Sequence, residues 1–168
     1  MRIKIREGIF ESNSSSSHSL SVSRKSSYDY TSIRSHIDLD GILHIEPEEF
    51  GWEEREYRLP YNKIQYAFEM IYMTEFSYDE RKTLSVDEIY ESEGFQALKE
   101  TILENIPECK DVVVEPIKDT WSEPFGYIDH QSCEYYKSLQ HFLSDYDVTL
   151  EEFIFNTGVV LKTDNDNH

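Results

Sequence analysis

Apolar and polar positions alternate with period two at the start of the chain. Arg2-Ile3-Lys4-Ile5-Arg6 therefore predicts a strand with one buried face. Leu20 and Val22 alternate with serines and predict a second strand over residues 19–23. Between the two lies Gly8-Ile9-Phe10-Glu11-Ser12-Asn13-Ser14-Ser15-Ser16-Ser17-His18-Ser19, which reads as a loop. Residues 23–35 are polar and rich in Ser and Tyr, again loop-like. In the run from His36 to Ile45, Asp40-Gly41 separates two apolar stretches and is the clearest hairpin signal in the chain. Residues 54–59 predict another strand, closed by Pro60.

The period then changes to that of a helix. Ile64, Ala67, Phe68, Ile71 and Tyr72 recur at helical spacing and predict an amphipathic helix over residues 61–75. Ser85 and Glu88 match a capping box, and Phe95, Leu98, Ile102 and Ile106 continue an apolar stripe that Pro107 ends. Ser92 and Gly94 predict a break near its start. Val112-Val113-Val114 reads as a short buried strand. Ser132, Tyr136, Leu139 and Leu143 mark a further helix, expected near 133–144. Thr149 and Glu152 form another capping box, opening a short helix through Phe155. Asn156-Thr157-Gly158 then turns into a last strand over residues 159–162. The expectation is a single α+β domain over residues 1–168: a β-rich N-terminal half, with an antiparallel sheet and the Asp40-Gly41 hairpin, covered by helices of the C-terminal half.

Composition sharpens this picture. The 168 residues include 12 Tyr, 9 Phe and 2 Trp, enough aromatic surface for a real core. No apolar run reaches membrane-span length, and the N-terminus has no signal-peptide pattern, so a cytoplasmic location is expected. Cys109 and Cys133 form neither a zinc pattern nor a disulfide framework, and no metal or cofactor is expected. The net charge is −18 and is unevenly spread. Residues 1–36 hold six Lys/Arg against three acids, and residues 37–168 hold 10 against 31, a balance of −21. Such a body repels nucleic acid, and its natural partners are basic surfaces, cations or nothing charged at all; the bland reading of the charge is solubility alone.

Four polar motifs carry candidate chemistry. The Ser-rich stretch offers many hydrogen-bonding groups and one titratable ring, but no P-loop, dinucleotide fingerprint or nucleophile elbow. Its bland reading is a loop held by its own hydrogen bonds. Phe50-Gly51-Trp52-Glu53 follows the acidic run Glu46-Pro47-Glu48-Glu49; Trp52 is either a core anchor or an interface hot spot. Gly126-Tyr127-Ile128-Asp129-His130-Gln131-Ser132 precedes a helix, where Asp129 or Ser132 also suits a cap. Asp164-Asn165-Asp166-Asn167 has hard oxygen ligands but no EF-hand loop. On these four pieces the chain resembles a group of proteins carried by bacterial phages and other mobile elements. In that group the N-terminus reads Arg, Gly, a small apolar residue, Phe-Glu-Thr/Ser-Asn-Ser-Ser-Ser, then His-Ser. The resemblance implies a phage setting and brings no activity with it.

Two functional expectations follow. The first is a small acidic phage-encoded accessory protein that binds and inhibits a host defence or nucleic-acid-binding protein, with Trp52, Glu100, Glu104 and Glu108 against a basic host surface and no direct contact with nucleic acid. Glu100, Glu104 and Glu108 are four apart and line one helix face, with carboxylates about 6 Å apart. The second is a polar-ligand-binding or hydrolytic domain. Its pocket would be built from Ser14, Ser15, Ser16 and His18, with Glu53, Asp129, His130, Ser132 and the Asp164–Asp166 tail.

Overall fold

The computed structural model describes residues 16–23, 26–51, 53–118, 124–129 and 133–165. The predicted strand at residues 2–6 lies outside these. The described chain is α+β, with three small β-units arranged around one buried helix.

The largest sheet has the order β1-β7-β4: Ser16–Val22, Val159–Asn165 and Arg55–Tyr57. β7 is central and antiparallel to both neighbours, with Leu20 opposite Leu161 and Tyr57 opposite Leu161. Two further units are parallel: β2 (Ile42–Ile45) with β5 (Asp111–Val114), and β3 (Glu49–Phe50) with β6 (Tyr127–Ile128).

The Asp40-Gly41 turn forms as the sequence predicts. Asp38 Oδ1 accepts from the amides of Asp40 and Ile42, both at 2.9 Å. Gly41 has φ of +86°, a conformation that costs glycine little. The turn makes a single antiparallel bridge, Ile37 with Leu43. β2 then pairs with the distant β5 rather than joining the sheet that carries residues 16–22, where the hairpin was expected to sit. Residues 23–35 are not all loop: Ser32–His36 forms a 3-10 turn that buries Ile33.

Among the described residues the helices α1 (Pro60–Glu75), α2 (Tyr78–Arg81), α3 (Val86–Glu91), α4 (Glu93–Asn105), α5 (Leu139–Ser144) and α6 (Leu150–Phe155) follow. Pro60 opens α1, where its missing N–H costs nothing. The capping boxes at Ser85/Glu88 and Thr149/Glu152 are present, and a third, Ser77/Glu80, starts α2. Ser92 caps α4 and separates it from α3. α5 is shorter than the predicted helix near 133–144, because Ser138 caps it by accepting from the His141 amide at 3.1 Å.

α1 departs from its amphipathic reading. It packs against α4, α5, α6, β6 and the 3-10 turn, and residues on all sides of it are buried from Pro60 to Tyr72. Its polar side chains are therefore used internally. Lys63 Nζ donates to the carbonyls of Asn156 (3.0 Å) and Val159 (3.1 Å), holding the exit of α6. Gln65 donates to Glu46 O at 2.7 Å, and Glu69 accepts from the Glu48 amide at 3.0 Å. Tyr61 donates to His44 O at 2.8 Å. A helix buried all round retains such residues only where each finds a backbone partner.

Candidate functional site

The sequence-distant motifs meet at one corner of the molecule, beside the N-terminal end of β1. Strand parity puts His18, Leu20 and Val22 on the core side, with Ser19 and Ser21 on the other. β1 pairs with β7 so that Ser16 faces Asn165, Ser17 faces Asp164 and His18 faces Thr163. The Thr163 hydroxyl donates to Glu53 O at 2.6 Å. Phe50 lies in register with Ile128, and the Asp129 amide donates to Phe50 O at 2.9 Å. Gly126 makes this approach possible. Its φ is +73°, and a Cβ there would lie 2.3 Å from Glu48 O and 2.5 Å from Glu69 Oε1.

His18 is the hinge of the corner. It is 6 % exposed and lies in a strand, not in the loop expected for it. Nε2 is 3.3 Å from Gly51 O, and Nδ1 is 3.2 Å from the Tyr66 hydroxyl. A carbonyl only accepts, so Nε2 carries the proton, and Nδ1 accepts from Tyr66. Both ring nitrogens are thus engaged in the neutral form. Burial pushes the imidazole down to about 4, against the opposing pulls of the Gly51 carbonyl and the Asp129 carboxylate. Tyr66 is fully enclosed, and burial holds its phenol well above the usual range. Cys133, also buried, is pushed up to about 11 by desolvation. Neither it nor Cys109 is in a disulfide. A thiol held this high is a poor nucleophile.

The remaining candidates fall as follows. Asp129 is buried at this corner and acts electrostatically on both His18 and Cys133. Ser16 begins β1. Ser14, Ser15, Trp52, His130, Ser132 and Asp166 lie outside the described residues. Glu53 is exposed, and its carboxylate pairs with Arg55. Glu100 and Glu104 are exposed on α4. Glu108 does not continue their row, because α4 ends at Asn105, and it pairs instead with Arg34.

Sequence reasoning missed a second histidine site. His44 on β2 is held between two carboxylates, with Nδ1 2.7 Å from Glu115 Oε1 and Nε2 2.9 Å from Asp38 Oδ2. Its hydrogen bonds to the carboxylates of Asp38 and then Glu115 raise its pKa above the ordinary value. Asp38, two residues before the turn glycine's neighbour Asp40, was the available signal. The pairing of Glu115 through β5 left none.

Among the described residues, no group of three or more His, Cys, Asp or Glu is placed to hold a metal ion. No helix among them is long and apolar enough to cross a membrane. No protein family model, curated protein or solved structure matches the chain.

Proposed function

We propose that the chain is a small acidic accessory protein of phage origin that binds and inhibits a host protein through a basic surface on that partner. The observation that carries this reading is the division of charge. Arg34, Arg55, Arg58, Lys82, Lys99 and Lys162 each pair with a carboxylate of the chain itself. Lys63 is enclosed in the core. Much of the positive charge is spent internally, while Asp87, Glu91, Glu93, Glu100 and Glu104 stand exposed along α3 and α4. Exposed carboxylates of this kind accelerate encounter with a basic partner and fix its orientation more than they add affinity. The N-terminal resemblance supports the phage setting, and a host defence or nucleic-acid-binding protein supplies the basic surface.

Affinity capture from a bacterial lysate, at low and high salt, tests this. The expected result is a basic host protein retained at low salt and released as salt rises. Charge reversal of Glu100, Glu104 and Glu108 together slows its association by about tenfold or more. Capture that is insensitive both to salt and to the triple reversal contradicts the proposal.

The polar-ligand or hydrolytic pocket is the second reading. The meeting of His18, Gly51, Asp129 and the residue pair 164–165 at one corner favours it. Against it stands His18, whose two nitrogens are already held by Tyr66 and Gly51.

A further inference from the structure

The outer face of the β1-β7-β4 sheet carries a groove of about 390 Å³ lined by cations and hydroxyls. Two cations, Arg58 and Lys162, and three hydroxyl residues, Ser21, Ser23 and Thr157, line it. Val160 and Gly158 complete the lining among the described residues, and the Glu56 carboxylate reaches its edge by pairing with both cations. In a chain of net charge −18, two cations against one carboxylate is a local excess of positive charge. A second groove, of about 310 Å³ beside α2 and α3, shows the ordinary case, with Glu80, Glu88 and Glu91 in its lining.

The two cations converge. Glu56 lies opposite Lys162 in the β4–β7 register, and its carboxylate bridges both: Oε1 is 3.0 Å from Lys162 Nζ and Oε2 is 2.6 Å from Arg58 Nη2. One oxyanion thus already spans the pair. Gly158 keeps the wall tight, since a Cβ there would lie 2.9 Å from Ser26 Cβ and 3.1 Å from Ser23 O.

We propose that this groove binds a small phosphate monoester. The phosphate sits between Arg58 and Lys162 near the serine hydroxyls, and its organic part lies over Val160. A planar guanidinium beside an ammonium suits a phosphate dianion. The volume is in the range of small-molecule sites, about 300–1,000 Å³. The acidic body opposes the approach of an anion, but exposed charges beyond about 8 Å are largely screened at physiological salt. Glu56 is the resident competitor for the same cations.

The test is an amide-resolved NMR titration with inorganic phosphate and with AMP, using adenosine as the phosphate-free control. The expected result is saturable shifts at Ser21, Ser23, Gly158 and Lys162 with at least one phosphate probe and none with adenosine. The double variant Arg58→Gln/Lys162→Gln weakens binding by at least about tenfold. Ser21→Asp, which puts a carboxylate into the groove, also weakens it. Glu56→Gln tightens it by a few-fold, because the competitor loses its charge. Several results overturn the proposal: no saturable shift below about 20 mM of either phosphate, far weaker than the millimolar range of a marginal site; equal shifts with adenosine; or binding left unchanged by the double variant or not tightened by Glu56→Gln.

Discussion

His18 and His44 show how one side chain is put to opposite uses within a single fold. His18 is 6 % exposed, and its two nitrogens are held by a phenol and a carbonyl. Both partners suit the neutral ring. His44 has a side chain 36 % exposed, and both of its nitrogens meet carboxylates, which suit the charged ring. Burial lowers the first pKa to about 4, and hydrogen bonds to Asp38 and Glu115 raise the second. A histidine inside a conspicuous polar motif is thus the closed, uncharged one.

The comparison is broken most forcefully by truncation. His18→Ala removes a buried ring and leaves Tyr66 Oη and Gly51 O without their partner. It is expected to cost roughly 2–4 kcal/mol in a urea unfolding experiment. His44→Ala, which removes only a partly exposed side chain, is expected to cost far less. Equal losses contradict the assignment. Next in size is Tyr66→Phe, which leaves a buried Nδ1 acceptor on His18 and is expected to cost about 1–2 kcal/mol by the same measurement.

The pH dependence sharpens the contrast. For His18 the folded pKa, about 4, lies below the ordinary imidazole value of 6.5, so the unfolded chain binds the extra proton in that window. The stability tied to its neutral ring is present above about 6.5 and is lost as pH falls towards 4. For His44 the folded pKa is raised. Its contribution is complete below the unfolded pKa and is lost as pH rises through the folded value. His44→Gln should therefore flatten the decline of melting temperature as pH rises above about 6.5 and leave the acid limb unchanged. This is the smallest of the expected effects, because the pair is solvent-screened.

Local signals in the sequence were the ones that survived. The boxes at Ser85/Glu88 and Thr149/Glu152, the break at Ser92 and the Asp40-Gly41 turn depend on residues within a few positions, and all are present. The β2–β5 and β3–β6 pairings join segments 69 and 78 residues apart, and nothing in either partner specifies the other. α1 looked one-sided because only its apolar repeat was counted; Lys63, Gln65 and Glu69 are inside because each reaches a backbone group of another segment. At the corner the signal existed and was outweighed. His18 shares its parity with Leu20 and Val22, so the strand was legible once the ring is counted as an inward residue. The surrounding serines, which occupy the outward positions, gave the segment the look of a loop. That Gly51 and Tyr66 would close on the ring was not legible, because those contacts span 33 and 48 residues.

The most direct test of the closed-corner account is an NMR titration of both imidazoles in one sample, from pH 3.5 to 8.5, with each ring's tautomer read from its nitrogen shifts. His18 is expected to stay neutral, protonated at Nε2, down to about pH 4, while His44 titrates above the ordinary imidazole value of 6.5. A His18 ring that titrates near 6.5, or that carries its proton on Nδ1, contradicts it and returns the Ser-His motif to the list of open sites.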